Sequence, residues 1–218
     1  MVRVHVLVEG QTEEAFVGRI LQFHFNRHNI YLYPRLVGKP GHRGGVGEYQ
    51  RAKRDILATL KQDASAFCTT MFDYYGMPGS WPGRETAAGD PEAIEQEILA
   101  DISAEMGGGF NLARLIPYVQ MHEFEALLFS NPKVLAAGLE SVDESSIPQI
   151  RDQFANPEEI DDSQQTAPSR RIARLDCSYQ KVNDGVVIAK KIGVDTMRAT
   201  CPHFNQWIGR LEALMGPT

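Results

Sequence analysis

Four times within residues 2 to 137, a short apolar run rich in β-branched side chains gives way to a stretch with helical spacing. That alternation constrains the fold more than any other feature of the chain. "RVHVLVE" alternates as a strand, with Val4, Val6 and Val8 on one face and His5 and Leu7 on the other. Gly10 permits a sharp turn, and Thr12 is the expected N-cap of a helix with Glu13 and Glu14 in its first turn. Phe16, Ile20 and Phe23, with Val17 and Leu21, form its apolar stripe through about Arg27. "NIYLYPRLV" is a second strand, and its Pro34 predicts an edge position or an early end. A glycine-rich loop, "GKPGHRGGVG", leads to the helix "EYQRAKRDILATLKQD", with Tyr49, Ile56 and Leu60 inward. "AFCTTMFD" is the third strand. A Gly/Pro-rich loop follows, and Asp90 caps a helix whose first turn holds Pro91 and Glu92. "FNLARLIPYVQ" reads as the fourth strand, and "MHEFEALLF" opens the next helix.

Strands separated by helices join through crossovers rather than hairpins. The fold class is therefore α/β, an open, mostly parallel four-stranded sheet flanked by helices. This α/β domain spans residues 1–140, and the strands stop there. Residues 141–218 are polar and turn-rich, then helical, and are expected as a C-terminal helical region packed on the sheet, with Glu158–Asp162 a solvated loop.

At 218 residues and 43% hydrophobic, the chain can fill one core. No apolar run approaches the roughly 20 residues that span a bilayer, and no signal pattern opens the chain. Its three cysteines are an odd count without CxxC spacing, which points to a reduced, cytoplasmic protein. A net charge of −6 gives no global pull toward nucleic acid. One basic island, Arg35, Lys39, Arg43, Arg51, Lys53 and Arg54 against the single acid Glu48, can meet phosphates, although charge alone favours a solvated loop and helix face.

In open parallel sheets, ligands bind beyond the carboxyl ends of the strands. Three strands here end in acids at that rim: Glu9, Asp73, and the group His122, Glu123 and Glu125. Gathered carboxylates repel one another, and a divalent cation offsets that repulsion. Magnesium (or manganese) suits such oxygen ligands and also holds phosphate. Glu123 and Glu125 lie about 200° apart on a helix and face one ion together only if the chain is still extended at Glu123; in a helix, His122 and Glu125 pair instead. The competing explanation, acids that merely favour a helix N-terminus, fits Glu13 and Glu14 better than Glu9 or Asp73. Further along, Ser169, Arg170 and Arg171 begin a helix where hydroxyl, guanidinium and free N–H groups can take a phosphate, with Lys181 joining; an ordinary capped basic helix fits equally well. His203 and Trp207 read as packing residues, and Trp81 as either a base-stacking or a folded-back loop tryptophan. The glycines match neither GxxxxGK[ST] nor GxGxxG, which excludes a P-loop ATPase or a nicotinamide enzyme.

Taken in order, "VEGQTEEAF", "FDYYGMPGSWPG", "PYVQMHEFEALLFS", "PSRRI", "YQKVNDG" and "CPHFNQWIGRLE" resemble the DUF4276 family, grouped with Toprim-like domains and hence with OLD and RloB-like nucleases. The resemblance covers nearly the whole chain. It implies that Glu9 acts as general acid/base or metal ligand and that Asp73 is the first acid of a magnesium-holding Asp-x-Asp motif. The chain departs from that motif at Tyr75, so Glu123 or Glu125 is expected to supply the missing ligand. The function so implied is magnesium-dependent phosphodiester cleavage, a nuclease acting on DNA or RNA. His122 would assist, Lys39, Arg43, Arg170, Arg171 and Lys181 would hold phosphate, and an ATPase would be the partner in phage defence. The alternatives are a non-catalytic Toprim-like interaction or sensor subunit, and phosphoryl transfer on a small nucleotide.

Overall fold

A computed structural model describes residues 1–38, 47–140, 142–160 and 166–215. Three seven-residue strands, β1 (Val2–Val8), β2 (Ile30–Leu36) and β3 (Phe67–Asp73), form most of a parallel sheet. Two short pieces, β4 (Leu115–Ile116) and β5 (Val119–Gln120), both run parallel along β3. The order is β2-β1-β3-β4, with β5 also on β3. Among the described residues, strand β2 is the outer strand on its side and carries Pro34 opposite Val6, where a missing N–H faces no third strand.

The fourth strand is broken in two, a departure from the single run expected over "FNLARLIPYVQ". Pro117, between the pieces, has no N–H to donate. Threonine hydroxyls replace the missing ladder: Thr69 Oγ1 donates to the Ile116 carbonyl, while Thr70 Oγ1 donates to the Tyr118 carbonyl and accepts from the Tyr118 N–H. Beyond this edge, Glu95 of helix α4 (Pro91–Met106) accepts the Val119 N–H at 3.0 Å. The edge is thus satisfied by side chains, leaving less of a row for another chain to pair with.

The alternation in β1 sorts two cores. Val4, Val6 and Val8 face one, with Phe16, Val17, Leu21 and Phe25 from the first helical segment. Leu7, Cys68, Phe72 and Val119 face the other, packed by Ile56 and Leu60 of α3 (Tyr49–Gln62) and by Ile94, Ile98 and Ile102 of α4. Asp90 caps α4 through Oδ1, which accepts the Glu92 and Ala93 N–H groups. The first core is completed from the far end of the chain, by Phe204, Trp207, Ile208 and Leu211 of the helix Pro202–Glu212. Trp207 stacks on Tyr118 at 4.2 Å and donates to Thr69 Oγ1, while His203 stacks on Tyr118 and pairs with Glu95 at 2.9 Å. Both are packing residues, as their spacing implied.

Three local expectations change. The first helix starts at Gln11 on Gly10 rather than on Thr12, which is buried. It runs as α1 (Gln11–Phe16), a π-helical turn (Val17–Leu21) and α2 (Gln22–Asn26). The wider turn rotates the remainder of the helix, so Phe23 is 76% exposed and Phe25 takes the core position. Glu158, expected in a solvated loop, is buried and accepts the His203 and Phe204 N–H groups at the start of the helix Pro202–Glu212. Asp161 and Asp162 of that loop lie outside the described residues.

Candidate active site at the carboxyl ends of the strands

Strand β1 delivers Glu9 and β3 delivers Asp73 to the same rim, two strands that lie side by side. Glu9 Oε1 accepts the Asp73 N–H at 2.5 Å. Gly76 leaves room for this contact, since a Cβ there would stand 3.0 Å from Glu9 Oε2. After β5 the chain passes through a cis Met121–His122 peptide, and Glu123 is extended (φ −144°, ψ 160°), before a 3₁₀ turn over Phe124–Ser130. The extended alternative therefore holds, and Glu123 and Glu125 turn into the same interior, where Glu125 is 1% exposed. Glu123 Oε2 accepts the Ser169 N–H at 3.0 Å, at the start of the helix Pro168–Leu175. Lys181, first residue of a π-helical turn (Lys181–Gly185), sets its ammonium 3.1 and 3.2 Å from the two oxygens of Glu125.

A fifth acid joins this cluster. Glu13 is buried, and a Cβ on Gly10 would stand 3.0 Å from its Oε2. The explanation by helix charge alone, the better fit to the sequence, fails for Glu13, because a carboxylate that only complemented a helix end would stay in water. The available signal was its spacing, four residues after Glu9 and one helical turn in.

Charge repulsion and burial act on these groups together. Burial pushes Asp73 well above the usual carboxylate range, and Glu13, Glu9, Glu125 and Glu123 push it further. Burial raises Glu13 as well, and drives Glu125 up to about 7 despite the nearby Lys181. Burial works against the Lys181 ammonium, but Glu125, Glu123 and Asp73 outweigh it and keep it charged. The Tyr179 hydroxyl is also shifted upward, by burial and then by Glu125.

The other candidates lie in varied surroundings. His122 is half-buried against the Tyr74 ring, 5.5 Å away, and its carbonyl accepts the Tyr75 N–H. Arg170 is exposed, while Arg171 donates to the Thr166 carbonyl and lies over the Phe154 ring. The N–H of Ser169 and the ammonium of Lys181, both expected on phosphate, are held by Glu123 and Glu125. Trp81 folds back over the second core and donates to the Gly47 carbonyl. Lys53 of the basic island pairs with Asp101 and Glu105, Arg35 and Arg54 are exposed, and Lys39 and Arg43 lie outside the described residues.

The donor set fits a hard divalent cation. Among the described residues Asp73 Oδ1 is buried with no hydrogen-bond partner, and Glu125, Glu123, Asp73 and Glu13 all act on one ammonium, that of Lys181. The acids do not yet converge. Among the described residues, the trio of possible ligands within 4.8 Å of one another is His24, His28 and Glu212. That trio belongs to a hydrogen-bonded network around the Arg198–Glu212 ion pair. Arg27 lies 3.1 Å from His24 Nδ1, and a guanidinium only donates, so the His24 proton sits on Nε2, which donates to Glu212 at 2.9 Å. No lone pair on Nε2 is left for an ion, and Arg198 holds the same Glu212 oxygen at 2.7 Å.

The fold and site together define a parallel α/β protein with a buried acidic cluster at the carboxyl edge of its sheet. No helix among the described residues is long and apolar enough to cross a membrane. The family described as a domain of unknown function, DUF4276, matches residues 8–212, and the chain belongs to that family. No curated protein and no solved structure matches it.

Proposed function

We propose that this protein is a divalent-metal-dependent phosphodiester-cleaving enzyme, a nuclease of Toprim-like type working with magnesium or manganese. The observation that carries the reading is the buried Asp73 Oδ1, without a hydrogen-bond partner among the described residues, beside strand-tip acids gathered at one rim. Asp73 and Glu125 would hold the ion, with Glu9 and Glu123 beside them. A bound divalent ion supplies Lewis acidity to a phosphodiester and a more acidic water. Glu13, which burial drives toward its protonated form, can hand a proton to a leaving oxygen. The net charge of −6 argues for modest, salt-sensitive nucleic-acid binding, or for a partner that carries the contact. An ATPase partner in phage defence is the setting the resemblance suggests, and the three free cysteines agree with a reducing cytoplasm.

Glu9→Gln and Asp73→Asn should each abolish magnesium- or manganese-dependent cleavage of DNA or RNA while circular dichroism stays that of wild type. Wild-type activity in either variant would sink the assignment. Two observations favour a second reading, a non-catalytic Toprim-like subunit. Tyr75, where the motif calls for a second aspartate, is 37% exposed, and Lys181 already balances one acid. Calorimetric titration separates the two, since the non-catalytic reading is preferred if neither metal binds.

A further inference from the structure

Lys181 contacts both oxygens of a carboxylate that is 1% exposed, while its own side chain is 48% exposed. The head is therefore buried on Glu125 and the stem reaches it from the surface. Without that ammonium, Glu125 would be a charge buried among four other acids, an arrangement that proteins avoid by pairing or protonation. Lys181 thus does for the site what a cation would do, and it does so incompletely. Among the described residues Asp73 Oδ1 still has no hydrogen-bond partner, and the Tyr179 hydroxyl, packed 2.7 Å from where a Cβ on Gly185 would stand, is also buried without one. Among the described residues, the strand-tip acids do not form a trio within ligand spacing. Glu125 is the acid of the cluster that Lys181 holds.

We propose that Lys181 is a built-in counter-cation that competes with the divalent metal for Glu125, so that loading the site requires the lysine to swing out. This rests on the reading of the cluster as a metal centre. An ammonium makes an electrostatic contact without the fixed geometry of a coordinated ion, and its flexible, half-exposed stem lets it leave. Two cations cannot share the carboxylate pocket without repulsion that a low-dielectric surrounding strengthens. Lys181 is accordingly a positioning residue, and metal affinity is set by the difference between the two occupants.

The test compares manganese and magnesium binding by calorimetry in wild type and Lys181→Met, which keeps the length of the side chain and removes its charge. The variant should bind at least about tenfold more tightly. Equal or weaker binding in Lys181→Met than in wild type overturns the competition while leaving the metal centre standing. Absence of binding in both proteins removes the metal centre and the competition together. If Lys181→Met does not fold, wild type decides alone: manganese should speed acylation of Lys181 several-fold, followed by mass spectrometry of the peptide. An unchanged or slower rate overturns the proposal.

Discussion

Glu125 shows how a single side chain can set the pH response of the whole protein. Its carboxyl is raised from an ordinary 4.5 to about 7, chiefly by burial. A carboxyl raised by folding stabilises the native state fully below its unfolded pKa, and that stabilisation is lost as pH rises through the folded one. From Glu125 alone the loss between about pH 4.5 and 7 is roughly 3 kcal/mol, and Asp73 and Glu13 act in the same direction. The metal-free protein should therefore melt at a lower temperature at pH 8 than at pH 5.5. Asp73→Asn removes a buried charge that its neighbours repel, so it should raise the melting temperature at pH 8 while abolishing activity. A lower melting temperature in that variant at pH 8 would contradict the repulsion on which the site is argued. Asp63, far from the site, acts in the opposite sense. The Arg3 guanidinium beside it holds it well below the usual range, so its contribution is present above about pH 4 and fades in acid.

Among the elements, the π-helical turn at Val17–Leu21 has the clearest measurable consequence. Apolar spacing places Phe23 inward, and a uniform α-helix would put it there. The wider turn exchanges its place with Phe25, which is fully buried. Phe25→Ala should cost about 3–5 kcal/mol through cavity formation, whereas Phe23→Ser should stay within about 0.5 kcal/mol in chemical denaturation. Similar losses from the two would mean that the helix keeps α-helical register throughout. The broken fourth strand follows the same logic of exchange. Pro117 removes a ladder donor, and Thr69 and Thr70 restore the bonding with hydroxyls. Pro117 is visible in the sequence; its repair by two threonines on a strand 47 and 48 residues away is not.

At the scale of the molecule, the helices after residue 141 supply a large part of one core. Phe204, Trp207, Ile208 and Leu211 share a cluster with Val4, Val6 and Val8 of the first strand. A chain ending at residue 140 would bare that face of the sheet. It should give an unfolded or molten spectrum, although every strand among the described residues lies within 1–140. Trp207→Ala should cost about 3–5 kcal/mol in the full chain, with the Thr69 hydroxyl losing its indole donor as well. A folded, cooperative 1–140 fragment would show that the two parts are separable.

Several features were legible from residue order alone: the parallel α/β arrangement, the face of each residue in β1, the edge place of β2, the Asp90 cap, and the delivery of Glu9, Asp73 and the Glu123/Glu125 pair to one rim. They follow from a side-chain period of two, from turn chemistry, and from the rule that crossovers return strands in parallel, all of which act over a few residues. Long-range packing settled the rest. It turns Glu13 inward, sets the Ser169 N–H on Glu123, and rests Lys181 on Glu125 across 56 residues of chain. Which charge a buried carboxylate meets depends on how distant helices pack over the sheet, and no local spacing encodes that distance.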